Sequence, residues 1–522
     1  MLFSYRCLRA LTRSVIFIGI GLAVGCASLP DPDDYAMPES HVMENTSDTR
    51  LARGVQAAFG SELEQAAFLP LGDGMKAFVA RMALIAAAER TLDVQYYIWH
   101  PDTSGSLLVG ELLKAADRGV RVRLLLDDLD TQGKDTFLGQ LDVHPNIEVR
   151  LYNAFGYRGS RGIGFASDLK RLNHRMHNKS LTADNQATIV GGRNIGNEYF
   201  NAVAHTGFAD LDVLAVGPVV ADVSNMFDLY WNSDMVVPMS AFADKDTLNE
   251  ESLKDTRDRF AARVDEEAAS DYVQAIRDSR MLESLAFSEM PMIRGDATLI
   301  YDDPRKLHNA KITRETHLAP NLAPIFDQAT RQVVVVSPYF VPGDKMVDFF
   351  VSLVERGIQV RILTNSLAAN DVGMVHAGYM RYRKDLLRGG VQMYEFKAER
   401  SELTRNKKWT GSSSASLHAK TLGADSERLF VGSFNLDPRS VALNTEMGVI
   451  IENKELAQQL TDAFNTAVAE QAYEVRLVDG NLQWTEPSAS GPTKTYDKEP
   501  QTTWWQRFVA GTLSYIVPES ML

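Results

Sequence analysis

Cysteine is almost absent from this chain: it has two, Cys7 and Cys26, both within the first 26 residues. Beyond them no internal disulfide can form, and thiol chemistry is excluded. Positive charge is also short, with 54 Lys and Arg against 68 Asp and Glu and a formal net charge of -14. A grip on nucleic acid needs a basic face, so no nucleic-acid partner is expected. The apolar stretch Val15 to Val24 is too short for a comfortable transmembrane helix. No His/Asp/Glu cluster has the spacing of a metal site, so neither a metal nor another cofactor is expected. The serine-rich "GSSSAS" (Gly411–Ser416) lacks the G-x-S-x-G elbow of a serine esterase. What the chain does have is size. Its 522 residues, 45% hydrophobic and 23% charged, exceed one small core and predict two domains or two halves of one unit.

Arg6, Arg9 and Arg13 precede the apolar stretch, and Gly25-Cys26 follows it. A basic start, a short apolar run and small residues at its end describe a secretory signal over residues 1–25. Ala23-Val24-Gly25-Cys26 resembles a bacterial lipoprotein cleavage box, which implies lipidation at Cys26 and a membrane-anchored place in the cell envelope, facing the periplasm, at the inner or outer membrane. Residues 26–60, with Pro30, Pro32 and Pro38, read as a tether.

From there the chain alternates strand-like and helical patterns, and does so twice. "TLDVQYYIW" (Thr91–Trp99), an amphipathic helix over Ser106–Arg118, "VRVRLLLDD" (Val120–Asp128) and "IEVRLYN" (Ile147–Asn153) are answered in order. Their counterparts are "QVVVVSPYFVP" (Gln332–Pro342), Asp344–Arg356, "RGIQVRILTNS" (Arg356–Ser366) and "GVQMYEF" (Gly390–Phe396). Gly119 and Gly357 stand 238 positions apart, His177 and His418 241. A near-constant offset over so many elements predicts an internal duplication, and the βαβ spacing an α/β fold with a largely parallel sheet in each half. The expected division is a first lobe over 61–235, a charged helical insert over 236–295, a second lobe over 296–475 and a C-terminal extension over 476–522. In that extension Trp505, Phe508, Val509 and Ile516 fall near one helical face, a stripe expected to pack on the core.

The duplication repeats one chemical pattern. "MHNKSLTADNQATIVGGRN" (Met176–Asn194) and "LHAKTLGADSERLFVGSFN" (Leu417–Asn435) both place His-x-Lys, then Asp, then Gly-x-x-Asn at the same spacings. On extended backbone, residues two apart share a face, so His177 joins Lys179 and His418 joins Lys420. Two imidazoles, two fixed positive charges and two amides suit displacement at a phosphodiester. The lysines, with Asn194 and Asn435, would hold the non-bridging oxygens. One imidazole could attack phosphorus while the other moves the proton of the leaving oxygen. Which histidine takes which part stays open at this level.

H-x-K-x4-D-x6-G-[GS]-x-N, twice, resembles the phospholipase D superfamily, in which two lobes meet at one site. "RMHNKS", "VGGRNIG", "ILTNSLAANDV", "VHAGYMRYRKDLLR", "GSFNLDPRS" and "LNTEMG" resemble the bacterial cardiolipin synthases of the C type more closely. The resemblance implies two pseudo-twofold-related lobes, each a mixed, mostly parallel sheet flanked by helices. It implies His177 as nucleophile and His418 as general acid/base, with Asp184 and Asp425 structural, in local ion pairs. It also implies one acid per lobe orienting the opposite histidine, for which Asp212 and Glu446 are the candidates. Ser433 stands where the first copy has Gly192 and could add a donor to the phosphate.

The activity implied is transfer of a phosphatidyl group, with phosphatidylethanolamine as donor, onto phosphatidylglycerol to make cardiolipin. Hydrolysis by a phospholipase D-type phosphodiesterase is the alternative, and a nuclease is a weaker one. Arg158, Arg161, Lys170, Arg171 and Arg175 before the first motif, and Lys397, Arg400, Arg405, Lys407 and Lys408 before the second, predict a basic rim suited to an anionic membrane surface.

Overall fold

The computed structural model describes residues 28–61, 63–200, 210–242, 248–278, 287–308, 311–370, 372–398, 417–486 and 493–518. Cys26, the signal stretch and the basic segment from Arg400 to Lys408 lie outside them.

The first half builds β1 (Ala66–Leu71), β2 (Thr91–Tyr96), β3 (Arg121–Asp127), β4 (Ile147–Tyr152), β5 (Ser180–Ala183), β6 (Ala187–Gly191), β7 (Asp212–Val216) and β8 (Val236–Pro238). β9 (Ile293–Tyr301) follows, then β10 (Gln332–Val336), β11 (Gln359–Asn365), β12 (Gln392–Phe396), β13 (Thr421–Ala424), β14 (Arg428–Gly432) and β15 (Met447–Glu452). The chain closes with β16 (Ala472–Val478), β17 (Asn481–Glu486) and β18 (Lys494–Tyr496). Across the first sheet the order is β8-β4-β3-β2-β5-β6-β7-β1-β9. Across the second it is β18-β17-β16-β12-β11-β10-β13-β14-β15-β9. Strand for strand, β12-β11-β10-β13-β14-β15-β9 repeats β4-β3-β2-β5-β6-β7-β1. The duplication read in the sequence is therefore a duplication of topology.

Among the named strands parallel pairing is confined to β2-β3-β4 and β10-β11-β12, with isolated parallel bridges at Trp99–Ile195, Met176–Thr445 and Phe340–Leu436. Each sheet is mixed rather than mostly parallel, because the motif hairpin (β5-β6 or β13-β14) and its neighbours all pair antiparallel. A hairpin turn reverses direction, so it can add only antiparallel strands. β9 crosses between the sheets: Ile293–Gly295 pair with β1 and Asp296–Tyr301 with β15. One apolar cluster takes Val190, Val213 and Ala215 from the first sheet and Val336, Val431 and Val449 from the second. The two sheets thus share a core, and strands covered on both faces read as continuous apolar runs.

The twice-written Arg-Gly before β3 and β11 has a local cause. Gly119 (φ 94°) and Gly357 (φ 85°) end the preceding helices in left-handed backbone, which costs glycine nothing. The next amides, Val120 N and Ile358 N, reach back to Ala115 O and Leu353 O. Arg118 and Arg356 donate to carbonyls that end a neighbouring helix, at Ala86 and Asp327 among others.

Two expectations are corrected. Part of the tether is fastened down: Arg150 Nη2 donates to Pro38 O and Arg123 Nη1 to Ser40 O, while Leu51 and Val55 are buried. Two buried guanidiniums need acceptors, and this segment supplies them. The stripe of the C-terminal helix (Trp504–Ile516) does not pack inward. Trp504 is 69% exposed and Tyr515 92%, with Trp505, Phe508 and Ile516 also exposed, and only Ala510 is buried. Among its described residues the insert includes the α-helices Glu250–Glu266 and Asp271–Asp278, although its first residues, Val236–Pro238, belong to the first sheet as β8.

Candidate active site

His-x-Lys runs in extended backbone just ahead of β5 and of β13, and the asparagine follows β6 and β14. The halves are stitched at the first motif: His177 N donates to Thr445 O at 2.8 Å and Thr445 N to Arg175 O at 2.9 Å. This brings the acid end of β15 against His177. His177 Nδ1 lies 2.8 Å from Glu446 Oε2. Across the pseudo-twofold, His418 Nδ1 lies 2.6 Å from Asp210 Oδ2. Each histidine is therefore held by an acid from the other half. Lys179 Nζ donates to His177 O at 2.6 Å, and Lys420 Nζ donates to His418 O in the same way.

Asp210, not Asp212, is the partner of His418. Asp212 is fully buried between Arg81 Nη2 at 2.9 Å and Arg193 Nη1 at 3.2 Å, neutralising two guanidiniums behind the sheet. The reason is register. Gly191 pairs with Asp212 and Gly432 with Gly448, so the counterpart of Glu446 is two residues before Asp212. Aligning Val213 with Val449 reveals this; counting acids inside the strand does not.

The Gly192/Ser433 difference follows from the same acids. A Cβ on Gly192 would sit 2.2 Å from Asp210 Oδ1, so the shorter acid occupies the space a side chain would need. In the second copy, Ser433 Oγ donates to Glu446 Oε2 at 2.5 Å and Ser440 Oγ to Oε1 at 2.8 Å. Ser433 thus holds the acid, where a phosphate contact was expected. Asp184 and Asp425 are structural, but through backbone amides rather than ion pairs. Asp184 accepts from the N–H groups of Glu89, Arg90 and Thr91, and Asp425 from those of Thr330, Arg331 and Gln332.

Asn194 Oδ1 accepts from Ile98 N at 3.2 Å, and its Nδ2 donates to Tyr199 OH at 3.1 Å. Asn435 is buried, with no partner on its Oδ1 among the described residues. Two aromatic rings that the sequence did not single out flank the imidazoles edge-on: Tyr97 beside His177 at 5.0 Å and Tyr199 beside His418 at 5.3 Å. The structure also gathers His100, Asp102 and Glu198, whose ligand-type atoms lie within 4.8 Å of one another. Here His100 pairs with Glu198 at 2.9 Å, and Asp102 caps the following helix at Gly105 N.

Both histidines are held below the ordinary value, His418 by burial and the charge of Lys420 against the opposing pull of Asp210. Burial, reinforced by the charges of Lys179, Lys420 and His418, holds His177 well below the ordinary histidine value, so it is neutral. Burial pushes Glu446 up to about 7 and Lys179 down to about 7. Asp210 goes the other way: despite burial, the charges of His418 and Lys420 hold it below the ordinary carboxylate range. A neutral imidazole donating Nδ1–H to Glu446 keeps its Nε2 lone pair for phosphorus, while an ionised Asp210 offsets part of the lowering at His418 and favours its taking up a proton. The arrangement fits in-line displacement at phosphorus, with one nucleophile and one proton carrier.

Among the described residues, the first of the two basic segments is largely paired. Arg158 pairs with Asp128 and Asp135, Arg161 with Asp128, Arg171 with Asp168 and Arg175 with Asp127. Their partners come from the turn after β3 as well as from the loop itself, which a count within the loop misses. Of that set, Lys170 is the exposed lysine.

Comparison with known proteins agrees with this geometry. The family model "Cardiolipin synthase, PLD-like domain" matches residues 82–231 and 322–468, one match on each half. The chain belongs to the cardiolipin synthase family. It is thereby a phosphatidyltransferase of the phospholipase D superfamily. It is 43% identical to cardiolipin synthase C of Escherichia coli (strain K12) over 476 residues, covering 91% of this chain and all of that one. It is 26% identical to cardiolipin synthase A of Pseudomonas entomophila, covering 78% of this chain and 69% of the relative. Among solved structures, phosphatidylserine synthase of Haemophilus influenzae superposes with a TM-score of 0.54 over 91% of this chain and all of its own, at 14% identity. At that identity the likeness shows the fold.

Proposed function

We propose that this enzyme makes cardiolipin by moving a phosphatidyl group from phosphatidylethanolamine to phosphatidylglycerol through a phospho-histidine on His177. The observation that carries the reading is the crossed pairing, His177 with Glu446 and His418 with Asp210. In the first step His177 Nε2 attacks phosphorus, the bond to the headgroup oxygen breaks, and His418 gives that oxygen its proton as ethanolamine leaves. In the second step His418 takes the proton of a phosphatidylglycerol hydroxyl. Its oxygen attacks phosphorus, and the P–N bond breaks back to His177. Lys179 and Lys420, with the amides of Asn194 and Asn435, bind the non-bridging oxygens and offset the charge that grows on them.

The membrane surface is the natural meeting place, since both substrates are lipids. Among the described residues no helix is long and apolar enough to cross a bilayer. The exposed Trp504, Trp505 and Phe508 of the C-terminal helix instead suit the headgroup layer, where amphipathic aromatic rings concentrate. With lipidation at Cys26, this would hold the enzyme on the envelope membrane.

The test gives the purified protein phosphatidylglycerol and ethanolamine-labelled phosphatidylethanolamine in mixed micelles. Cardiolipin with free labelled ethanolamine, absent in His177→Ala, is the expected result. Phosphatidic acid as the sole lipid product would replace transfer by hydrolysis.

A further inference from the structure

The insert between the two lobes has no part in the reaction as described, yet it closes a cavity. About 370 Å³ of space lies between helix Thr103–Asp117, strand β3, the short helix Asp135–Asp142 and the insert helix Glu250–Glu266. Its walls include Val109, Leu124, Phe137, Leu138 and Phe260. The volume falls within the ~300–1,000 Å³ usual for small-molecule sites.

Its position ties it to the reacting centre. Tyr97 lines the cavity, and the same ring meets His177 edge-on at 5.0 Å and lies 5.7 Å from Lys179 Nζ. Asp127 also lines it, and its Oδ2 accepts from Met176 N, beside His177, at 2.7 Å. Gly105 lets this wall close, because a Cβ there would meet His100 O at 1.9 Å. At the other side the cavity reaches Arg259, an exposed residue of the insert helix. The cavity thus runs from the Tyr97 ring, which flanks His177, to the exposed Arg259.

The second lobe is built differently at the corresponding place. There the strand-to-strand connection is a 16-residue helix, Gly373–Arg388, in place of the 8-residue helix Asp135–Asp142. Its Tyr379 packs on Phe340, which in turn meets Phe350. The cavity beside Tyr97 lies in the half that carries the insert.

We propose that this cavity takes a fatty acyl chain of the lipid whose phosphate sits at His177, with the insert helix as its roof. The inference rests on the phosphatidyl-transfer reading. It makes chain length a determinant of turnover: at about fourfold in affinity per buried methylene, long and short chains separate widely.

The test compares dioleoyl with dihexanoyl phosphatidylglycerol and phosphatidylethanolamine for the full chain and for two cavity-filling variants, Val109→Phe and Phe137→Trp. Expected is a loss of at least ~10-fold in kcat/KM on the dioleoyl lipids, with the dihexanoyl rates within about twofold of the unsubstituted protein. An unchanged dioleoyl rate, or an equal loss on both chain lengths, overturns the proposal. A second readout needs no turnover, because Trp99 lines the cavity. In a Trp504→Phe/Trp505→Phe background bromododecanoate should quench its fluorescence saturably, and that saturable quenching should vanish on adding Trp99→Phe or Val109→Phe. Failure of the unsubstituted protein to turn over any phospholipid would strike the transfer reading itself. Absence of quenching would strike the cavity.

Discussion

Replacing Asp210 by Asn puts an amide where a carboxylate now lies 2.6 Å from His418 Nδ1. The imidazole loses both its orienting acceptor and the charge that stabilises its protonated form. Asp210→Asn is expected to lower kcat by ~10²- to 10⁴-fold with little change in melting temperature, as loss of an orienting acid does elsewhere. Asp212→Asn should do the reverse. It leaves Arg81 and Arg193 buried beside an uncharged amide, at a cost of ~3–5 kcal/mol read by thermal or urea unfolding. The same residues set the pH profile. Glu446 must be ionised to accept from His177, and it gains a proton as pH falls through about 7. In the proposed mechanism Lys179 must be charged to hold the phosphate, and it loses its proton as pH rises through about 7. A narrow bell in kcat/KM centred near 7 is expected. Lys179→Arg, whose charge does not titrate, should remove the alkaline limb and leave the acid limb.

At the level of elements, strand positions and helix ends were readable in the chain. β2, β3, β11 and β12 lie within the stretches expected, trimmed by up to three residues at either end, and Gly119 and Gly357 end helices as their spacing suggests. The C-terminal helix was misread because an apolar stripe looks the same whether it meets a core or a membrane. Composition carries the difference, since tryptophan at an exposed face is costly in water and at home among headgroups. Trp505→Ala with Phe508→Ala should weaken flotation with anionic vesicles at least ~10-fold while leaving the melting temperature nearly unchanged, because neither side chain is buried. Vesicle binding as tight as before would remove this helix as the contact.

The whole molecule is one site made from two copies of one fold. β9 belongs to both sheets, and each histidine takes its acid from the other half. Neither half is complete alone. Mixing His177→Ala protein with His418→Ala protein should restore no activity, because both histidines must stand in the same chain around one phosphate. Recovery of about a quarter of the original rate on mixing would instead mean that halves exchange between chains.

The sequence by itself determined the duplication, the residue types of the repeated motif, and their division between two lobes. These are carried by spacing, and spacing survives without coordinates. Only the tertiary structure decided between Asp210 and Asp212, because strand register, not proximity along the chain, selects the carboxylate that faces an imidazole. It also spent four arginines of the first basic loop on internal acids and left the aromatic face of the last helix in the open. Opposite charges and apolar faces find partners by distance in space, and those distances are set once the two sheets have packed against each other.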